Sequence, residues 1–174
     1  MNLPTAITIS RFLMVPVFIA VAEKHPVWGS IVFSIASLTD LLDGYLARRS
    51  RQVTKLGIIL DPLADKFLVI AALIVLVDLE LIAAWIVIVI IIREFLVTGL
   101  RMAALVQDMV IPAETGGKFK MGFQITAILV FLVDYSGILG KVDLGGIALV
   151  CVIAAMILGL LSGVQYFSRF VRSL

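Results

Sequence analysis

Apolar residues run through this chain in long blocks, without the alternation of half-buried strands or the polar stripe of surface helices. Blocks near 6–22, 27–47, 56–77, 81–106, 121–139 and 144–168 each approach the ~20 residues with which a helix crosses a bilayer core. Short polar links separate them: Glu23-Lys24-His25-Pro26, Arg49 to Lys55, Asp78-Leu79-Glu80, a Gly116-Gly117 turn with Lys118, and Gly140-Lys141. The pattern predicts an all-α polytopic membrane protein, a bundle of six transmembrane helices forming one domain over residues 1–174.

Composition supports this. Of 174 residues, 62% are hydrophobic and 15% charged, and the mean hydropathy is +1.18, more apolar side chain than a soluble domain of this length can hide. The net charge of +2 is too small and too dispersed for a nucleic-acid binder. Basic residues set the orientation: with a cytoplasmic amino terminus, all Lys and Arg except Lys24 and Lys141 fall on or toward the inner side. Both termini are then cytoplasmic, in a multi-pass protein of the cell membrane. Arg11, an apolar run and Ala20-Val21-Ala22 before Glu23 also fit a cleavable signal peptide, an alternative that amino-terminal sequencing separates. A single cysteine, Cys151, excludes an intramolecular disulfide and reads as packing, and the single His25 reads as a loop residue. Little material remains for a Ser-His-Asp arrangement or a His/Cys zinc site.

The exceptions to the apolar pattern carry the chemistry. Asp40, Asp43, Asp61 and Asp65 fall in consecutive apolar blocks, where ionised carboxylates persist mostly by lining a polar cavity, binding cations or pairing with bases. Positions 40, 43, 44, 47 and 48 share one face of a helix, and 57, 61 and 65 one face of the next. Folding the chain back near residue 52 levels 40 with 65, 43 with 61 and 48 with 57, so the carboxylates meet in two layers facing one cleft at the cytoplasmic end. Four hard oxygen donors suit magnesium or manganese, as a pair of ions with bridging aspartates, and two-metal sites serve phosphoryl chemistry. Gly44 and Ala47 leave room for a ligand beside the helix backbone, and Arg48 stands where it can meet a phosphate. Any one of these aspartates alone reads equally as the partner of a neighbouring Lys or Arg; the whole pattern does not.

The string Asp40-x2-Asp43-Gly44-x2-Ala47-Arg48-x8-Gly57-x3-Asp61-x3-Asp65 resembles the complete signature of the CDP-alcohol phosphotransferase family. From Asn2-Leu3-Pro4-Thr5 through Arg93-Glu94 and Gly117-Lys118, the wider chain resembles the bacterial branch whose acceptor is glycerol 3-phosphate. The resemblance implies six membrane helices, usually in a homodimer, with a cavity open to the cytoplasm. It implies attack of an acceptor hydroxyl on the β-phosphorus of CDP-diacylglycerol, with CMP leaving. Carried over residue by residue, Asp40, Asp43, Asp61 and Asp65 bind two metal ions, and Asp65 is also the general base. Gly44, Ala47, Arg48 and Gly57 shape the CDP site, and a Pro-x3-Thr element matching Pro4 and Thr8, with Thr5 at the variable position, reaches the nucleotide.

A second polar group lies beyond the signature: Arg93 and Arg101, eight apart, then Lys118 and Lys120. A phosphorylated acceptor carries about two negative charges, which clustered Arg and Lys would hold, whereas choline or ethanolamine would call for carboxylates or an aromatic cage. The competing reading makes Lys118 and Lys120 a solvated cytoplasmic loop, and Arg93 part of a structural charge network with Glu94 as counter-ion. Three alternatives in function stay open. Inositol phosphate is also a phosphorylated acceptor; membrane prenyltransferases use paired aspartates with magnesium but lack the Asp-Gly-x2-Ala-Arg block; and intramembrane carboxylates also mark cation transporters.

Overall fold

The computed structural model describes the backbone of residues 3–50, 55–106, 115–140 and 142–173, and the side chains of 13–39, 66–104, 119–140 and 142–172. Six helices account for nearly all of it: α1 Leu3–Ala22, α2 Pro26–Ser50, α3 Lys55–Asp78, α4 Ala84–Val106, α5 Thr115–Tyr135 and α6 Gly145–Ser173. Among the described residues there is no strand. α1 packs on α2 and α3, α5 lies along α6 and touches α2 and α3, and α4 is held between α3 and α6.

Boundaries differ from the hydrophobic blocks where backbone chemistry overrides them. α3 ends in a Schellman turn: the Leu81 N–H reaches the Leu76 carbonyl (2.9 Å) and the Glu80 N–H the Val77 carbonyl (3.0 Å), with Glu80 itself at φ +58°. That turn delays α4 from the expected 81 to Ala84. α5 stops at Tyr135, not 139, because Gly137 and Gly140 adopt φ +69° and +68°, a conformation a helix cannot continue through. Gly116 and Gly117, expected as a turn, instead lie in the first turn of α5, where the backbone N–H groups lack helical partners anyway.

Asp134, near the end of α5, caps the next helix. Its Oδ1 accepts the Leu144 N–H at 2.8 Å, at the amino-terminal end of α6 where the helix dipole favours a carboxylate. Asp134→Ala is expected to cost about 0.5–2 kcal/mol, read as a lower unfolding temperature of the purified protein.

The core joins all six helices toward the end that carries the α1–α2, α3–α4 and α5–α6 links. Phe18, Phe33, Leu73, Leu76, Ile128, Leu132 and Val152 are fully buried there, with the Phe18 and Phe33 rings 5.8 Å apart. Cys151 is half-buried against this cluster, and His25 is exposed in the α1–α2 link. Large apolar side chains also cover much of the described outer surface: Trp28, Trp85, Phe119, Val150, Leu161 and Val164 all face outward. Water would penalise such a coat, and hydrocarbon would not. α6 is long and apolar enough over Gly145–Arg172 to cross a membrane. The described residues are thus all-helical, and their apolar outer surface is consistent with a membrane setting.

Candidate functional site

Glu94 lies ten residues after the start of α4 and is 7% exposed. A carboxylate at that depth needs charged partners, and three converge on it from three helices. Lys66 of α3 reaches Oε2 at 3.3 Å, Arg93 of α4 reaches Oε1 at 2.9 Å, and Lys120 of α5 also contacts Oε1.

Each cation has further anchors. The Lys66 ammonium donates to the Glu94 main-chain carbonyl at 3.2 Å and to Thr98 Oγ1, whose hydroxyl donates to that same carbonyl at 2.7 Å. Arg93 Nε donates to the Gly159 carbonyl at 2.7 Å and Nη2 to Ser162 Oγ at 2.6 Å, which ties α4 to α6. α6 admits these side chains because it is thin there. A Cβ at Gly159 would stand 3.3 Å from Lys120 Cδ and 3.6 Å from Arg93 Nε, and one at Gly163 would stand 3.5 Å from Arg93. The Gly159-x3-Gly163 spacing is the small-residue pattern that lets membrane helices approach closely.

The centre carries an excess of positive charge. One carboxylate faces three cations, so two positive charges go unanswered among the described residues. Such an arrangement can hold a dianion. Beside it, between α4 and α6, the bundle opens sideways in an apolar groove of about 410 Å³ lined by Ile92, Leu96, Leu160, Val164 and Phe167, with Arg93 in its wall.

Sequence-predicted residues distribute as follows. Arg93 and Lys120 come together on Glu94, so the counter-ion role expected for Glu94 is observed, while Lys120 is buried in α5 and not in a solvated loop. Arg101 stands exposed on α4, two turns beyond Arg93. The side chains of Thr5, Thr8, Asp40, Asp43, Gly44, Ala47, Arg48, Gly57, Asp61, Asp65 and Lys118 lie outside the described residues. Their backbones belong to α1, α2, α3 and α5, with Asp40 and Asp43 in the second half of α2 and Asp61 and Asp65 in the first half of α3. Among the described residues no cluster of three or more potential metal-ligating side chains occurs.

Three participants escaped the sequence reading as site residues: Lys66, Thr98 and Ser162. Lys66 directly follows Asp65, so the α3 segment ending the aspartate motif is fastened to α4 through the Lys66 ammonium. A basic residue next to a motif carboxylate was the available signal. Gln124, one turn beyond Lys120 on α5, is 3% exposed and makes no side-chain hydrogen bond among the described residues.

Comparisons with known proteins agree over most of the chain. A family model described as CDP-alcohol phosphatidyltransferase matches residues 1–163. A protein of Bacillus subtilis named CDP-diacylglycerol–glycerol-3-phosphate 3-phosphatidyltransferase is 46% identical over 147 residues, covering 75% of this chain and 76% of its own. One of Mycobacterium tuberculosis named probable phosphatidylglycerophosphate synthase is 37% identical over 182 residues, covering 99% and 83%. A Haemophilus influenzae protein with the same name as the first is 36% identical over 174 residues, covering 95% and 91%.

Proposed function

The chain belongs to the CDP-alcohol phosphatidyltransferase family, and from that premise we propose that it transfers the phosphatidyl group of CDP-diacylglycerol to glycerol 3-phosphate, giving phosphatidylglycerophosphate and CMP. The acceptor is carried by one observation, the cationic centre on Glu94. A phosphate monoester brings about two negative charges to a centre with two positive charges unanswered among the described residues, whereas a choline or ethanolamine head would add repulsion.

In this reading the four aspartates of α2 and α3 face one cleft. Their oxygen-only donor set fits Mg²⁺ or Mn²⁺, and a pair of such ions would neutralise the diphosphate and hold it in line. Asp65 accepts the proton of the acceptor hydroxyl as its oxygen bonds to the β-phosphorus and the bond to CMP breaks. Gly44, Ala47, Arg48 and Gly57 cradle the CDP group, with Thr5 and Thr8 of α1 reaching the nucleotide. The six helices span the membrane with both termini and the cleft on the cytoplasmic side, within one domain and in a homodimer. Support for that orientation comes from the skewed basic residues, including Arg48, Arg49, Arg51 and Lys55 in and beside one link.

The test is a product assay with purified protein, CDP-diacylglycerol, divalent metal and a panel of acceptors. CMP release with glycerol 3-phosphate is expected. Preference for inositol phosphate would reassign the acceptor, and absence of CMP with every acceptor would remove the function. Arg101→Ala and Lys118→Ala are each expected to raise the KM for glycerol 3-phosphate roughly tenfold, the worth of one charge-assisted hydrogen bond. The KM for CDP-diacylglycerol should move far less, and equal shifts would remove both residues from the acceptor phosphate.

A further inference from the structure

Glu94 holds three cations that would otherwise repel one another. We infer that Glu94 is a positioning residue for acceptor specificity, holding Lys66, Arg93 and Lys120 at one point so that they receive a phosphorylated acceptor and reject a neutral one, and that Lys66 belongs to the acceptor site. The inference rests on the proposed reaction and adds to it a residue of the opposite charge to the ligand and a lysine from the aspartate-bearing helix.

The geometry supports positioning over simple charge balance. Glu94 uses both carboxylate oxygens and its main-chain carbonyl, and distributes them over α3, α4 and α5. Thr98 and Ser162 then fix the direction of two of the cations, since each hydroxyl both receives a cation and donates to a main-chain carbonyl. Fixed donors bind an anion without first being ordered, which is where preorganised sites gain affinity. Lys66 gives the arrangement its reach, because the next residue toward the link is Asp65, the proposed base. A phosphate seated among these cations would therefore bring its alcohol to the aspartate end of α3.

Two physical pictures predict opposite signs. If the centre attracted anions by net charge alone, Glu94→Gln would add one positive charge and lower the KM for glycerol 3-phosphate. If Glu94 positions the cations, Glu94→Gln lets them separate and the KM rises.

The experiment measures both substrate KM values and kcat for the full chain in detergent, after wild type has been shown to release CMP with glycerol 3-phosphate. That prior result stands or falls with the proposed reaction, independently of the variants. Glu94→Gln is expected to raise the glycerol 3-phosphate KM about tenfold or more while the CDP-diacylglycerol KM changes less than about twofold, with Glu94→Asp recovering part of the loss. Inorganic phosphate should compete with glycerol 3-phosphate in wild type and about tenfold more weakly in Glu94→Gln. Ser162→Ala, which keeps every charge and loosens only Arg93, should move the same KM upward by about two- to threefold and covers the case in which Glu94→Gln does not fold. Lys66→Met should reproduce the split. An unchanged or lowered glycerol 3-phosphate KM, or equal rises for both substrates, overturns the inference.

Discussion

Asp65→Asn is expected to reduce turnover by about 10²–10⁴-fold, the range that a positioned general base contributes, while binding of CDP-diacylglycerol stays within a few-fold of wild type. Asparagine keeps the size and one carbonyl oxygen of the carboxylate but cannot take the hydroxyl proton. The damage should therefore fall on kcat and not on lipid affinity. Position matters as much as chemistry. The neighbouring Lys66 is fastened to Glu94 and Thr98 of α4, so this stretch of α3 has a fixed register against the cationic centre. The measurement is CMP release with saturating metal, beside equilibrium binding of the CDP-lipid. Near-normal turnover in the folded variant would take the base role away from Asp65.

The largest structural effect is expected at the α1–α2 hairpin. Gly29 packs against the last residue of α1 so closely that an added Cβ would lie 2.7 Å from Ala22 Cα and 2.8 Å from its Cβ. Neither atom belongs to a flexible side-chain end, and Ala22 is fully buried, so relief requires moving one helix away from the other. Gly29→Ala should destabilise the protein by about 1–3 kcal/mol, the usual penalty for overpacking. The same substitution at Gly99 of α4, where a Cβ meets nothing within 4 Å, should be neutral or stabilising by up to about 1 kcal/mol, because alanine is the better helix former. Thermal unfolding of both variants in one detergent gives the comparison. Equal behaviour would mean that the hairpin opens without cost.

Both predictions start from features of different legibility. Asp65 stands out in the sequence because an acidic residue in an apolar block is rare and its spacing to Asp40, Asp43 and Asp61 is periodic. Gly29 does not stand out, since nothing local distinguishes a glycine that touches another helix from one that faces open space. Glu80 is a similar case: a bulky residue at positive φ ends α3, where glycine would have been the readable signal.

By itself the sequence determined the helical class, the existence of six apolar segments, the skew of basic charge and the aspartate signature. All of these follow from residue type and local period, which a linear chain displays directly. The helix boundaries at Asp78, Thr115 and Tyr135, the thinning of α6 at Gly159 and Gly163, and the meeting of Lys66, Arg93 and Lys120 on one carboxylate were decided only by tertiary structure. Lys66 and Lys120 stand 54 positions apart; the sequence offered Lys120 as an acceptor-phosphate residue or a loop cation and gave Lys66 no site role. Packing of four helices made them one site, because a buried carboxylate recruits whatever cations the bundle can bring within reach.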